Sequence, residues 1–166
     1  MDFLVETDKQ MIDSNYRRCV GIFVLQKRSG LIFAAERINE PGAWQIPQGG
    51  AEDGEEDYDA ALRELREETG ICSVKYLANT KGRHNYDFPT YILEKRKKRG
   101  WADYKGQSIK FFLFEFIGNE SEINLASSKE IEFSHWKWIE AKKIVDQMID
   151  FKKEAIYAGA KELELV

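Results

Sequence analysis

Apolar residues along the chain follow two kinds of pattern. Short runs rich in β-branched and aromatic residues predict strands, and runs with apolar residues three or four positions apart predict helices. The predicted strands are residues 19–26, 31–37, 43–47, 73–80, 109–118 and 135–140. The predicted helices are residues 56–69 and 141–163. Residues 81–108 are mostly polar, include a basic run at 95–99, and are predicted to form a long loop with short strands.

Strands interspersed with two helices favour a layered α/β fold, although the pattern does not determine the strand order. The 166 residues fit one domain, and the chain contains no repeats and no low-complexity linker. We therefore predict an N-terminal arm over residues 1–15 and a single domain over residues 16–166.

The composition excludes several classes of protein. The net charge of −4 at pH 7 gives no overall attraction to nucleic acid or acidic lipid, so an anionic substrate would need local cations and a metal. Cys19 and Cys72 are too few for a disulfide scaffold, and reduced thiols are expected. No apolar run approaches the ~18 residues of a membrane span, and the N-terminus lacks a secretory pattern. We predict a cytoplasmic protein without a membrane partner.

Acidic residues of the first predicted helix are concentrated on one side. At about 100° per residue, Glu64, Glu67 and Glu68 fall within an arc of about 100°. Ala60 lies in the same arc, where a methyl group is expected to leave room above the carboxylates. Glu64 and Glu68 are like charges one turn apart, and the helix dipole disfavours anions at this C-terminal end. Two interpretations remain from these residues alone: a solvated acidic face or a site for a divalent cation.

The stretch GGAEDGEEDYDAALRELREETGI, residues 49–71, resembles the complete Nudix box, with every fixed residue and both apolar positions matched. The matching residues are Gly49, Glu55, Arg63, Glu64, Leu65, Glu67, Glu68, Gly70 and Ile71. The resemblance favours the cation site. It implies a Nudix fold, in which a mixed β-sheet is sandwiched between α-helices. It also implies Mg²⁺-dependent hydrolysis of a nucleoside diphosphate linked to another group.

Within the box, the resemblance implies roles for the matching polar residues. The catalytic and metal-binding residues that it implies are Glu64, Glu67 and Glu68, together with Gly49. They would hold more than one Mg²⁺, with Mn²⁺ as a substitute. The general base would be Glu67, Glu68 or a glutamate of a distant loop. Glu55 and Arg63 would form a structural layer behind the ligands, joining the loop to the helix.

Two related groups of Nudix enzymes share further segments with residues 16–158: the asymmetrical diadenosine tetraphosphate hydrolases of plant type and the bacterial RNA pyrophosphohydrolases. The shared segments include YRRCVGIFV, AWQIPQGG, YDFP, KGQ, KFFLF, EINL and FKK. By this resemblance Glu132 matches a further metal ligand, and Arg17 matches a phosphate-binding arginine. Tyr86 and Phe151 match aromatic residues that clamp a base, with core packing as the alternative. The additional cations expected near phosphates are Lys105, Lys110, Lys152 and Lys153, with solvent exposure as the alternative.

The leading hypothesis is Mg²⁺-dependent hydrolysis of a dinucleoside polyphosphate, which cleaves diadenosine tetraphosphate asymmetrically to ATP and AMP. The alternative is an RNA pyrophosphohydrolase, which removes pyrophosphate from the 5′ triphosphate end of RNA. The segments REETGI, YDFP and YKGQ favour the plant-type enzymes, whereas Ser108-Ile109 and Phe111 depart from the usual pattern and leave the substrate open. A catalytically silent nucleotide sensor is a third hypothesis, but such modules usually lose box glutamates, and all are present here. The sequence predicts no oligomeric state.

Overall fold

The structure, a computed structural model, describes residues 13–166, so most of the predicted N-terminal arm lies outside the described residues. The strands are β1 (Tyr16–Gln26), β2 (Leu31–Arg37), β3 (Trp44–Gln45), β4 (Gln48–Gly50), β5 (Val74–Asn79), β6 (His84–Asp87), β7 (Gly106–Phe116) and β8 (Phe133–Ile139). The helices are α1 (Asp57–Thr69), α2 (Thr90–Lys98), α3 (Ala141–Asp146) and α4 (Asp150–Glu162), with a 3-10 turn at Glu120–Glu122. None of the helices in this part of the chain has the length and apolar character needed to cross a membrane.

The eight described strands form one mixed sheet, built around the parallel pair β1 and β7. The main order is β3-β2-β1-β7-β5; β4 pairs with β1, β6 with β7 and β8 with β2, all antiparallel. The parallel register runs from Tyr16 opposite Gly106 to Leu25 opposite Glu115. Parallel strands are normally covered on both faces, and here both faces are covered by helices.

Each face of the sheet carries its own hydrophobic core. Side chains alternate along β1, so Cys19 and Phe23 belong to one core, and Val20, Ile22 and Val24 belong to the other. The second core is closed by α1 through Ala60, Ala61 and Leu65, and the first is closed by α3 and α4. This arrangement confirms the predicted fold, a mixed sheet between α-helices.

The long helix predicted over residues 141–163 is wrong, because the chain forms two helices there. Gln147 ends α3, and Ile149 precedes α4 with an extended backbone of φ −60° and ψ 132°. Met148 is buried between the two helices, so the apolar spacing continues across the break. No proline or glycine marks the turn, and residues of both helices pack into the same core on the sheet.

The loop predicted over residues 81–108 contains β6 and a helix that the polar composition concealed. Helix α2 has no fully buried residue, and only Ile92 and Leu93 pack against the core. It begins after Pro89. Its last turn is entirely basic, and these positive charges interact favourably with the negative end of the helix dipole. The basic run is therefore mostly helical. Residues 48–50, which follow the predicted strand 43–47, pair with β1 as strand β4.

The two thiols differ in accessibility, which gives a direct check of the fold. Cys19 lies in β1 with no exposed surface, and burial raises the pKa of its thiol to about 11. Cys72 is exposed after α1. A thiolate-specific reagent should therefore modify one thiol per native chain rapidly at pH 8 and two per chain in denaturant. Rapid modification of both in the native protein would contradict the packing of β1.

Candidate active site

Helix α1 presents its acidic residues at different depths. Glu68 is buried, with 6% of its surface exposed, whereas 52% of the Glu67 side chain is exposed. Glu64 is partly buried between them. Ala60 has no exposed surface and lies in the core, so the expectation that it leaves space above the carboxylates is wrong. Gly70 ends the helix at φ 76° and donates its N–H to the carbonyl of Arg66.

Arg63 joins the helix to the loop that precedes it. Its Nε and Nη2 lie 2.8 and 2.9 Å from the two carboxylate oxygens of Glu55. Nη1 donates to Glu64 at 2.9 Å and to Glu67 at 3.2 Å, and Nη2 also donates to the carbonyl of Gly50 at 2.9 Å. The geometry is what the predicted joining role of Glu55 and Arg63 requires, because one guanidinium fixes loop and helix together.

Glu68 is a buried carboxylate among like charges. The backbone N–H of Gln48 donates to its Oε2 at 3.3 Å. Burial, followed by the charges of Glu132 and Glu64, raises the pKa of Glu68 well above its ordinary value. Burial also raises the pKa of Glu64, against the opposing effect of Arg63. Glu132 belongs to a distant part of the sequence, so the fold brings it to α1.

The two glycines of β4 let the strand approach these side chains closely. A Cβ at Gly49 would lie 2.1 Å from the carboxyl carbon of Glu64. A Cβ at Gly50 would lie 2.2 Å from Nη2 of Arg17. The close approach of Gly49 thus has a steric reason, and the strand forms one wall of the acidic site.

The donor set fits a hard divalent cation, although its side chains do not converge. Within residues 13–166, no group of three or more acidic, histidine or cysteine side chains is arranged to hold a metal ion. Glu64 and Glu67 instead contact Arg63. Glu64, Glu68 and Glu132 nevertheless offer only oxygen ligands, the chemistry that Mg²⁺ prefers. A buried carboxylate that is destabilised by two others is also the arrangement that a cation would stabilise.

A cleft of about 410 Å³ adjoins this acidic site and is lined by Gly49 and Glu132. We call it the cationic cleft, because its other lining residues include five cations: Arg17, Arg37, Arg96, Arg99 and Lys152. The sequence predicted Arg17 and Lys152. It missed Arg37, for which no signal was available, and Arg96 and Arg99, whose only signal was the basic run.

Lys152 is a cation whose charge depends on pH near neutrality. Burial, with a smaller effect of Arg37, lowers its pKa to about 8. A lysine that deprotonates above pH 8 attracts phosphate less, so the KM for a polyphosphate substrate should rise as the pH increases through that value. The Lys152→Arg variant keeps its charge and should show a flatter KM profile between about pH 7 and about pH 9.5. Identical profiles would contradict a contact between Lys152 and substrate.

The aromatic pair predicted to clamp a base is packed together in this structure. The ring centroids of Tyr86 and Phe151 lie 5.7 Å apart at an interplanar angle of 53°. Tyr86 is 7% exposed, and its hydroxyl donates to Gln107 and accepts from Gln48 at 3.2 Å. The pair therefore forms part of the core, and clamping a base would require the rings to separate. The clamp stays a prediction.

The remaining predicted cations do not line the cationic cleft. Lys105 is exposed, with its Nζ 4.8 Å from the ring centroid of Tyr16. Lys110 lies opposite Val20 on β7, and strand alternation places it on the face that packs against α1. The Nζ of Lys153 lies 3.1 Å from Asp150. A role for these three lysines in substrate binding therefore rests on the sequence resemblance, because they do not line the cleft.

Comparison with known proteins gives one family. The NUDIX domain profile matches residues 15–159. Nudix hydrolase 26, chloroplastic, from Arabidopsis thaliana is 44% identical over 140 residues, which cover 83% of this chain and 64% of that protein. An RNA pyrophosphohydrolase of Erythrobacter litoralis is 40% identical over 153 residues, 90% of this chain and 92% of that protein. The solved Ap4A hydrolase of C. elegans superposes with a TM-score of 0.58 at 18% identity, covering 88% of this chain and 98% of that one.

These likenesses differ in what they establish. The C. elegans structure supports the fold alone at its low identity, and the alignment spans less than two thirds of the Arabidopsis protein. The profile and the bacterial relative cover nearly all of the described residues, including the complete box on α1. This chain therefore belongs to the Nudix family of hydrolases.

Proposed function

We propose that the protein is an RNA pyrophosphohydrolase, which removes pyrophosphate from the 5′ triphosphate end of RNA. The single observation that carries the proposal is the cationic cleft, where five cations adjoin the oxygen ligands of the acidic site. A triphosphate followed by phosphodiesters is a polyanion that such a cleft would neutralise, although the net charge of the whole chain is −4. The similarity to the RNA pyrophosphohydrolase of Erythrobacter litoralis supports the same substrate.

The reaction is hydrolysis of a phosphoanhydride. Water attacks phosphorus, the P–O–P bond between the α- and β-phosphates breaks, and the products are pyrophosphate and RNA with a 5′ monophosphate. Bound at Glu64, Glu68 and Glu132, Mg²⁺ would neutralise phosphate charge and lower the pKa of the attacking water. Arg17 and Lys152 would hold the phosphates, while Glu67 or Glu68 would accept the proton of the water.

The sequence favoured diadenosine tetraphosphate, and the comparisons favour the alternative. The relatives at 40% identity or more include RNA pyrophosphohydrolases, whereas the Ap4A hydrolase is similar only in fold. The Arabidopsis name states no substrate. The hypothesis of a silent sensor loses support, because the box glutamates are present and the protein belongs to a hydrolase family. A cytoplasmic location stays a prediction.

The proposal is tested by comparing kcat/KM for triphosphorylated RNA and for diadenosine tetraphosphate, each with Mg²⁺. We expect the RNA to be the better substrate and to release pyrophosphate rather than two phosphate ions. Preferred cleavage of diadenosine tetraphosphate, with ATP and AMP as products, would reject RNA as the main substrate and restore the hypothesis favoured by sequence. Failure to cleave either compound would reject both.

A further inference from the structure

Arg96 on α2 is held in place by two aromatic rings. Its guanidinium carbon lies 4.8 Å from the ring centroid of Phe88 and 5.2 Å from that of Trp101. Nη2 donates to the carbonyl of Ala102 at 3.3 Å, a long hydrogen bond. Such stacking fixes the plane of the guanidinium without neutralising its charge.

The charge of Arg96 is uncompensated within the part of the chain that the structure describes. No carboxylate among residues 13–166 forms an ion pair with it, and its buried Nε has no hydrogen-bond partner there. Burial lowers the pKa of the guanidinium, and the charge of Arg17 is the next largest effect. A buried donor without a partner is costly, and two neighbouring cations add repulsion. An anion between the two arginines would relieve the repulsion.

Arg96 and Arg17 also line the same cationic cleft as Glu132 and Gly49. Trp101, which is 52% exposed, lines it as well, and the guanidinium carbon of Arg99 lies 5.0 Å from its ring centroid. The aromatic rings therefore orient a cation towards the space that the substrate would occupy.

We propose that Arg96 binds a phosphate group of the substrate together with Arg17, and so positions the substrate in the cleft. The inference rests on the proposed function for the nature of the substrate. The planar fork of an arginine matches two phosphate oxygens, and Arg96 lines the cleft in which such a phosphate would lie. The phosphate belongs either to the 5′ polyphosphate or to the first phosphodiester of the RNA, and the substrates of the test distinguish these sources.

The test compares Arg96→Met, Arg96→Lys and the control Lys98→Met, which removes an exposed charge from the same helix outside the cleft. Steady-state kinetics use a nucleoside triphosphate and a triphosphorylated dinucleotide. Arg96→Met should raise KM about ten- to one-hundred-fold with little change in kcat, because a charged hydrogen bond is lost. It should also reduce the slope of log kcat/KM against log salt by about 0.7. Arg96→Lys should recover part of the affinity, and Lys98→Met should match the wild type.

The pattern across substrates identifies the phosphate. Equal losses on both compounds place it in the polyphosphate, and a loss on the dinucleotide alone places it in the phosphodiester. An unchanged KM and salt slope on both compounds would overturn the proposal. Thermal unfolding shows whether each variant is folded. If Arg96→Met is unfolded, the KM and salt slope of Arg96→Lys are compared with those of the wild type instead. If the wild-type protein cleaves neither compound, the proposed function fails; fluorescence anisotropy of a labelled nucleoside triphosphate on wild type and Arg96→Met still tests the contact.

Discussion

The Glu68→Gln variant is expected to lose activity about 10²–10⁴-fold while becoming more stable than the wild type in the absence of metal. The amide keeps the shape of the side chain, but it removes a charge that the acidic site needs for a cation. Burial and the neighbouring Glu132 and Glu64 destabilise the ionised Glu68, so removing that charge should raise the free energy of unfolding by about 1 kcal/mol.

The gain should depend on pH in a defined direction. Because the pKa of Glu68 is raised in the folded state, the wild type loses stability as the pH rises from the ordinary value of 4.5 through the folded-state pKa. Denaturant unfolding in EDTA should therefore show equal stability of both proteins below pH 4.5 and a more stable variant at high pH. Asp59→Asn, an exposed change in the first turn of the same helix, is the control; it should leave activity unchanged and lower stability by no more than about 1 kcal/mol, because an anion there interacts favourably with the helix dipole. Full activity of Glu68→Gln would reject the assigned chemistry.

The Arg63→Met variant should lose both stability and activity. Glu55, Glu64 and Glu67 would all lose the same guanidinium, whose side chain is only 18% exposed. Removing one partner of a buried pair costs about 3–5 kcal/mol, and partial exposure reduces the expected loss to about 2–4 kcal/mol. The loop that contains Glu55 should also become more mobile. The carboxylates of the acidic site would then be misplaced, and kcat should fall about 10–100-fold.

Urea unfolding and kinetics of the same preparation test this expectation. Arg66→Met removes an exposed arginine from the same helix and should stay within about 0.5 kcal/mol of the wild type. If Arg63→Met were as stable and active as that control, Arg63 would not join the loop to the helix.

The acidic helix was predictable because its information is local. The motif fixes spacing, helical geometry converts spacing into neighbouring side chains, and Gly70 marks the end. The strands of the central pair were equally predictable, since β1 and β7 are long apolar runs. The environment of Glu68 was not predictable, because Gln48 and Glu132, which interact with its carboxylate, come from other elements.

The cationic wall of the cleft was hidden for two physical reasons. Helix α2 is polar on nearly all sides, so its sequence lacks an amphipathic period. The basic residues of its last turn stabilise it instead through the helix dipole. Arg96 lies between two rings from different segments, Phe88 before the helix and Trp101 after it, and only the fold brings them together. The break before α4 was hidden because Met148 preserves the apolar spacing across it.

The central claim is that Glu64, Glu68 and Glu132 together bind the divalent cation that hydrolysis requires. Titration of Mn²⁺ into the protein, followed by electron paramagnetic resonance of the free ion, measures that binding without any substrate. We expect saturable binding by the wild type and at least ~10-fold weaker binding by Glu64→Gln/Glu68→Gln. Equal Mn²⁺ affinity of the two proteins would contradict the claim.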